Sequence, residues 1–206
     1  MNRCGALCLA LFFAAGLAQA SPKPAPKPAP KAAPAARALP GDSVLRLEDL
    51  FVDQDGRAFT LAQRRGKPQV VTMFYSSCKY ACPLLIDTGK GIDHALTPAE
   101  RARLRVLYIS MDPVRDQPKA LSALATQRKL DRARWTLATT DAAGVRRTAA
   151  VLGVRYRQLA DGEFNHSSML ILLDADGRVL ARTEKLGPVA DPEFLAKVKA
   201  ALAGRG

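Results

Sequence analysis

Gln69-Val-Val-Thr-Met-Phe-Tyr75 runs directly into Ser-Ser-Cys78-Lys-Tyr-Ala-Cys82-Pro83, and the reading of this junction decides the fold. The first part is nearly all apolar and rich in strand-forming residues, as a strand buried on both faces requires. From Pro83 to about Leu96 the apolar spacing changes to helical, with Leu85, Ile86, Gly89, Ile92 and Leu96 on one side. Thr97-Pro98 is expected to end that helix. Proline suits the first helical position, where its missing N–H costs nothing. This predicts Cys82 at the helix cap and Cys78 just before it, with the positive helix end favouring both thiolates.

The alternation continues on either side. Phe51 to Thr60 reads as a hairpin turning at Asp55-Gly56. Arg105-Val-Leu-Tyr-Ile-Ser110 is a second buried strand. A helix is expected from about Pro118 to Lys129, a short strand at Trp135–Ala138, and a helix from about Ala142 to Leu152. Val154–Leu159 and Ser168–Leu173 read as strands. Asp174-Ala-Asp-Gly177 turns the chain into a strand at Arg178–Thr183, and a helix from Pro192 to Leu202 closes it. Strands alternating with helices predict an α/β thioredoxin-like three-layer sandwich with a central mixed sheet and an N-terminal hairpin.

The N-terminal part has a different composition. Arg3, the apolar run Leu7–Leu17 and Ala18-Gln-Ala20 read as a signal peptide over residues 1–20, cleaved after Ala20. The apolar run falls well short of the ~20 residues that span a bilayer. Residues 21–40 form a Pro/Ala/Lys-rich linker that cannot bury a core, and residues 41–206 are the size of one domain. The expected location is the periplasm. The alternative is an uncleaved inner-membrane anchor facing the periplasm, in which case a polyproline tether rising ~3.1 Å per residue would hold the domain roughly 60 Å from the membrane. The formal net charge of +12 does not point to nucleic acid in an exported protein. The arginines are scattered along helix faces, which suits a solvated surface, with attraction to an acidic partner or peripheral contact with an anionic membrane as the alternative.

Cleavage would also remove Cys4 and Cys8, leaving Cys78 and Cys82 as the last cysteines of the chain. In an oxidising compartment such a pair must be kept reduced to bind metal. Two thiolates with an imidazole, supplied by His166 in Asn165-His166-Ser167, make a trigonal copper(I) site. Structural zinc normally takes four protein ligands, and no fourth is evident. His94, the other histidine, falls on the polar side of its helix, two turns or more from the cysteines, and reads as solvated surface. Two other uses of the pair stay open. A structural disulfide would gain little from closing so short a loop. A redox pair fits the fold, although thioredoxin spaces its cysteines by two residues and this chain by three. A peroxiredoxin would place threonine where Tyr75 stands.

Taken together, the motifs resemble the Sco/SenC family of copper chaperones. Thr72-Met-Phe-Tyr-Ser-Ser-Cys78-Lys-Tyr-Ala-Cys82-Pro83 is similar to that family's strand followed by Cys-x-x-x-Cys-Pro. Ser110-Met-Asp-Pro-Val-Arg-Asp116-Gln-Pro118 is similar to its Ser-x-Asp-Pro-x-x-Asp-x-Pro, Asn165-His166-Ser167 to its Asp-His-Ser, and Leu173-Asp-Ala-Asp-Gly177 to its strand-turn. The resemblance implies that Cys78, Cys82 and His166 bind copper as Cu(I) and Cu(II). It implies as partner the copper-A subunit of cytochrome c oxidase or another periplasmic copper protein. Metallochaperone rather than enzyme is the expected class, with a thiol-disulfide oxidoreductase using Cys78 and Cys82 as the alternative. Lys79, Gln117 and Asn165 depart from the family pattern, and Asn165 removes a negative charge beside His166. Asp112 is expected to cap a turn, with a place behind the metal ligands as its other reading.

Overall fold

The computed structural model describes residues 38–78 and 81–204. The expected export signal and cleavage point, residues 21–37 of the expected linker and Lys79 lie outside the described residues. No helix among the described residues is long and apolar enough to cross a membrane.

The sequence builds the sheet from its centre. Strand β3 (Gln69–Phe74) is buried at every position, so both of its faces are covered. It pairs in parallel with β4 (Arg105–Ser110), from Gln69 opposite Arg105 to Phe74 opposite Ser110. β4 in turn pairs in parallel with β5 (Trp135–Thr139). The hairpin β1 (Leu50–Asp53) and β2 (Ala58–Thr60) turns at Gly56, whose φ of 78° is costly for any residue with a Cβ. β1 adds antiparallel to β5, while β8 (Leu170–Leu173) and β9 (Val179–Thr183) extend the other side antiparallel. The order is β2-β1-β5-β4-β3-β8-β9, a mixed seven-stranded sheet. This is the thioredoxin-like sandwich the pattern predicts.

Helix α1 (Ala81–Ala95) connects β3 back towards β4 and lies flat on the sheet. Leu85 and Ile86 are buried, and the Tyr108 hydroxyl donates to the Leu85 carbonyl at 2.7 Å. Asp93, on the polar flank of α1, is not a solvated acid. It is buried and accepts from the Trp135 indole N–H at 2.8 Å and from both Arg134 terminal nitrogens at 2.9 Å. His94 is exposed, as expected.

Three boundaries differ from the sequence reading. α1 begins at Ala81, so Cys82 sits inside the first turn rather than at its cap, and Pro83 is the third helical residue. Proline is tolerated there because first-turn N–H groups have no intrahelical acceptor. Thr97-Pro98 does more than end α1. Thr97 caps α2 (Pro98–Arg103) through a reciprocal pair with Glu100, a capping box the sequence carried openly. Further on, α3 (Pro118–Gln127) and α4 (Ala142–Leu152) are followed by β6 (Tyr156–Gln158), whose partner is β7 (Phe164–His166). His166 therefore stands on a strand of a small separate sheet and not in a loop. α5 (Pro192–Leu202) starts and ends where the periodicity placed it.

Candidate metal site

The site forms where β3 ends and α1 begins, at the carboxyl edge of the parallel strands. Open α/β sheets place their ligands at this edge. Cys78 follows β3 after a turn in which its N–H donates to the Tyr75 carbonyl at 3.3 Å. Cys82 lies in the first turn of α1, and the Tyr75 N–H donates to its Sγ at 3.3 Å. Neither cysteine is in a disulfide and both are buried, Cys78 at 9% exposure and Cys82 at 3%. The β6–β7 hairpin brings in His166, half-buried. One ligand atom from each of Cys78, Cys82 and His166 lies within 4.8 Å of the others. Three residues separated by up to 88 positions in the chain thus converge on one point.

The imidazole is oriented for ligation. His166 Nδ1 lies 3.1 Å from the Ser167 carbonyl, which can only accept, so the proton belongs on Nδ1 and the lone pair on Nε2. Burial lowers the His166 pKa, which favours the neutral, ligating form. The Tyr75 ring packs edge-on against the imidazole at 5.7 Å and against Phe164 at 5.1 Å. Aromatic rings thus line one side of the imidazole.

The Cys82 sulfur behaves differently from expectation. Helix-end stabilisation predicts acidic thiols, yet burial pushes the Cys82 thiol well above its ordinary range, only partly offset by the Tyr75 N–H. In the metal-free protein desolvation wins, because a buried anion lacks both water and a countercharge. A soft cation would supply that countercharge. The donor set therefore fits a thiophilic metal ion.

The loop before Cys78 is held by a residue the sequence reading passed over. Asp116, fully buried, accepts from the Ser76 N–H at 2.9 Å, from the Ser76 hydroxyl and from the Ser110 hydroxyl. It ties the cysteine loop to the end of β4. The signal was present: an acid six residues beyond Ser110 and two before Pro118, at the end of a buried strand. Asp112 caps its turn by accepting from the Arg115 N–H at 3.3 Å, as expected, and also pairs with the Arg115 side chain. Gln117 makes no side-chain cap and donates to the Pro113 carbonyl instead. Asn165 is exposed, next to the ligand in sequence, and His166 takes its orientation from Ser167 and Tyr75.

Known proteins share the family and the fold. The SCO1/SenC family model matches residues 48–203. A SCO1 protein homolog of Bacillus subtilis (strain 168) is 23% identical over 154 residues, covering 73% of this chain and 79% of its own length. A solved SCO1/SenC family lipoprotein from Bacillus anthracis str. Ames is similar with a TM-score of 0.67 at 19% identity, covering 74% of this chain and 91% of that one. Bradyrhizobium japonicum ScoI, solved with copper bound, gives 0.63 at 23% identity, covering 74% and 96%. With a family match across most of the described residues, and with its motif cysteines and histidine gathered at one edge of a thioredoxin-like sheet, the chain belongs to the SCO1/SenC family.

Proposed function

We propose that this protein is a periplasmic copper metallochaperone that supplies copper for assembly of the copper-A centre of cytochrome c oxidase. The observation that carries the reading is the convergence of two buried thiols and one oriented imidazole within 4.8 Å. Soft sulfur selects copper(I), and the imidazole serves copper(I) and copper(II) alike. Copper is the cargo: donors on an acceptor replace Cys78, Cys82 and His166 one at a time, so no free ion is released. The copper-bound state of the Bradyrhizobium relative supports the choice of metal. Export with a signal cleaved after Ala20 completes the reading, and the mass of the secreted protein tests it.

The experiment is a copper(I) titration of the reduced domain against a competing chelator, comparing wild type with Cys78→Ser and His166→Ala. Wild type should bind far more tightly than Cys78→Ser. Equal affinities would overturn the proposal.

A second reading rests on the closeness of the same two sulfurs. As a thiol-disulfide oxidoreductase, Cys78 and Cys82 would pass two electrons and two protons to an acceptor disulfide and become a disulfide themselves. Rapid insulin reduction combined with weak copper binding would favour it.

A further inference from the structure

The strand that carries His166 belongs to a two-stranded sheet of its own and shares no ladder with the main sheet. Side chains therefore help to fix its position over the cysteines. Two such contacts meet at Glu163, just beyond Gly162 in the β6–β7 turn. The Tyr75 hydroxyl donates to Glu163 Oε2 at 3.0 Å. Arg115 reaches Glu163 Oε1 at 3.4 Å and the Gly162 carbonyl at 2.5 Å. Arg115 is itself anchored by the buried Asp112 on the β4 side, and its guanidinium lies 6.0 Å from the centre of the Tyr75 ring. One carboxylate thus joins the hairpin tip to both segments that flank the cysteine loop.

We infer that Glu163 is a positioning residue that, with Arg115 and Tyr75, clamps the hairpin so that His166 stands at the two sulfurs. The inference rests on the copper reading given above and deepens it. Cys78 stands in the turn after β3 and Cys82 in the first turn of α1, and the Glu163 side chain bonds to Tyr75 and Arg115 rather than to either sulfur. His166 stands on the hairpin itself. Loosening the hairpin should therefore weaken the histidine's share of copper binding and leave the sulfur share in place. Arg115 and Glu163 are each about two-fifths exposed, with side chains 38% and 41% accessible, so their ion pair is screened and the Tyr75 hydroxyl carries much of the effect.

The test loads wild type, Glu163→Ala, Tyr75→Phe, His166→Ala and the Glu163→Ala/His166→Ala double variant with copper(II). It reads affinity and the nitrogen hyperfine coupling in electron paramagnetic resonance. Glu163→Ala should weaken copper(II) binding about tenfold and broaden the nitrogen signal. Tyr75→Phe, which keeps the ring and its packing, should give part of that loss. In the His166→Ala background, Glu163→Ala should change nothing further. The same loss in that background would show a merely structural role and overturn the inference. So would an unchanged Glu163→Ala alongside a wild type that depends on His166, which would leave the copper reading standing. A wild type indifferent to His166→Ala would overturn both.

Discussion

At the sulfur of Cys82 two effects oppose each other: burial stabilises the thiol, and the Tyr75 N–H stabilises the thiolate. Burial wins, so at neutral pH the metal-free protein holds Cys82 protonated. Copper must displace that proton, and the sign of the pH dependence follows. Raising the pH removes the competitor, so apparent copper(I) affinity should climb about tenfold per pH unit for each proton released. Chelator competition at about pH 6, 7 and 8 checks it, and a flat profile would mean that the thiols are already ionised. The cysteines were legible because their spacing and neighbours are local facts of sequence. Their acidity was not, because burial depends on what the rest of the chain packs over them. His166 drew its meaning from its company in the motif order. Asp116 was quoted in its motif but given no role, because its partners, Ser76 just beyond β3 and Ser110 at the end of β4, meet only in the fold.

At the scale of elements, the site depends on how closely α1 lies on the sheet. Gly89 is in α1 because nothing larger fits: a Cβ there would come within 2.6 Å of both the Trp135 ring and the Tyr108 hydroxyl. Those two rings are fully buried and packed against each other, so they cannot give way easily. Gly89→Ala should destabilise the fold by about 1–3 kcal/mol, despite alanine's better helix propensity. Urea denaturation measures this, and a gain in stability would show that the helix can lift. The two principal buried strands and four of the helices were readable from patterns over six or more residues. β7 was not, since three residues are too few for a period and its pairing with β6 is a tertiary matter. α2 was hidden by the proline that opens it, which reads equally as the end of α1.

Across the whole molecule, stability and chemistry sit at opposite ends of the parallel strands. The proposed copper ligands gather where β3 ends. At the other end Arg64, nearly buried, donates to the Gln69 side chain and to the Thr136 hydroxyl, each at 3.0 Å, near the starts of β3 and β5. Its guanidinium also lies 5.7 Å from the centre of the Phe59 ring. Burial lowers its pKa to about 10, still well above neutral, so it stays charged. Arg64→Ala should cost about 2–3 kcal/mol of stability by stranding its buried polar partners. Copper affinity should not change, because nothing at the ligand edge moves. Loss of affinity in a variant that remains folded would show that the two ends are coupled.

X-ray absorption at the copper edge of the copper(I)-loaded, reduced protein tests the central claim most directly. Two sulfur neighbours and one imidazole nitrogen are predicted, with the nitrogen lost in His166→Ala and a sulfur lost in Cys78→Ser. A first shell of oxygen and nitrogen alone, or one unchanged by either substitution, would contradict it.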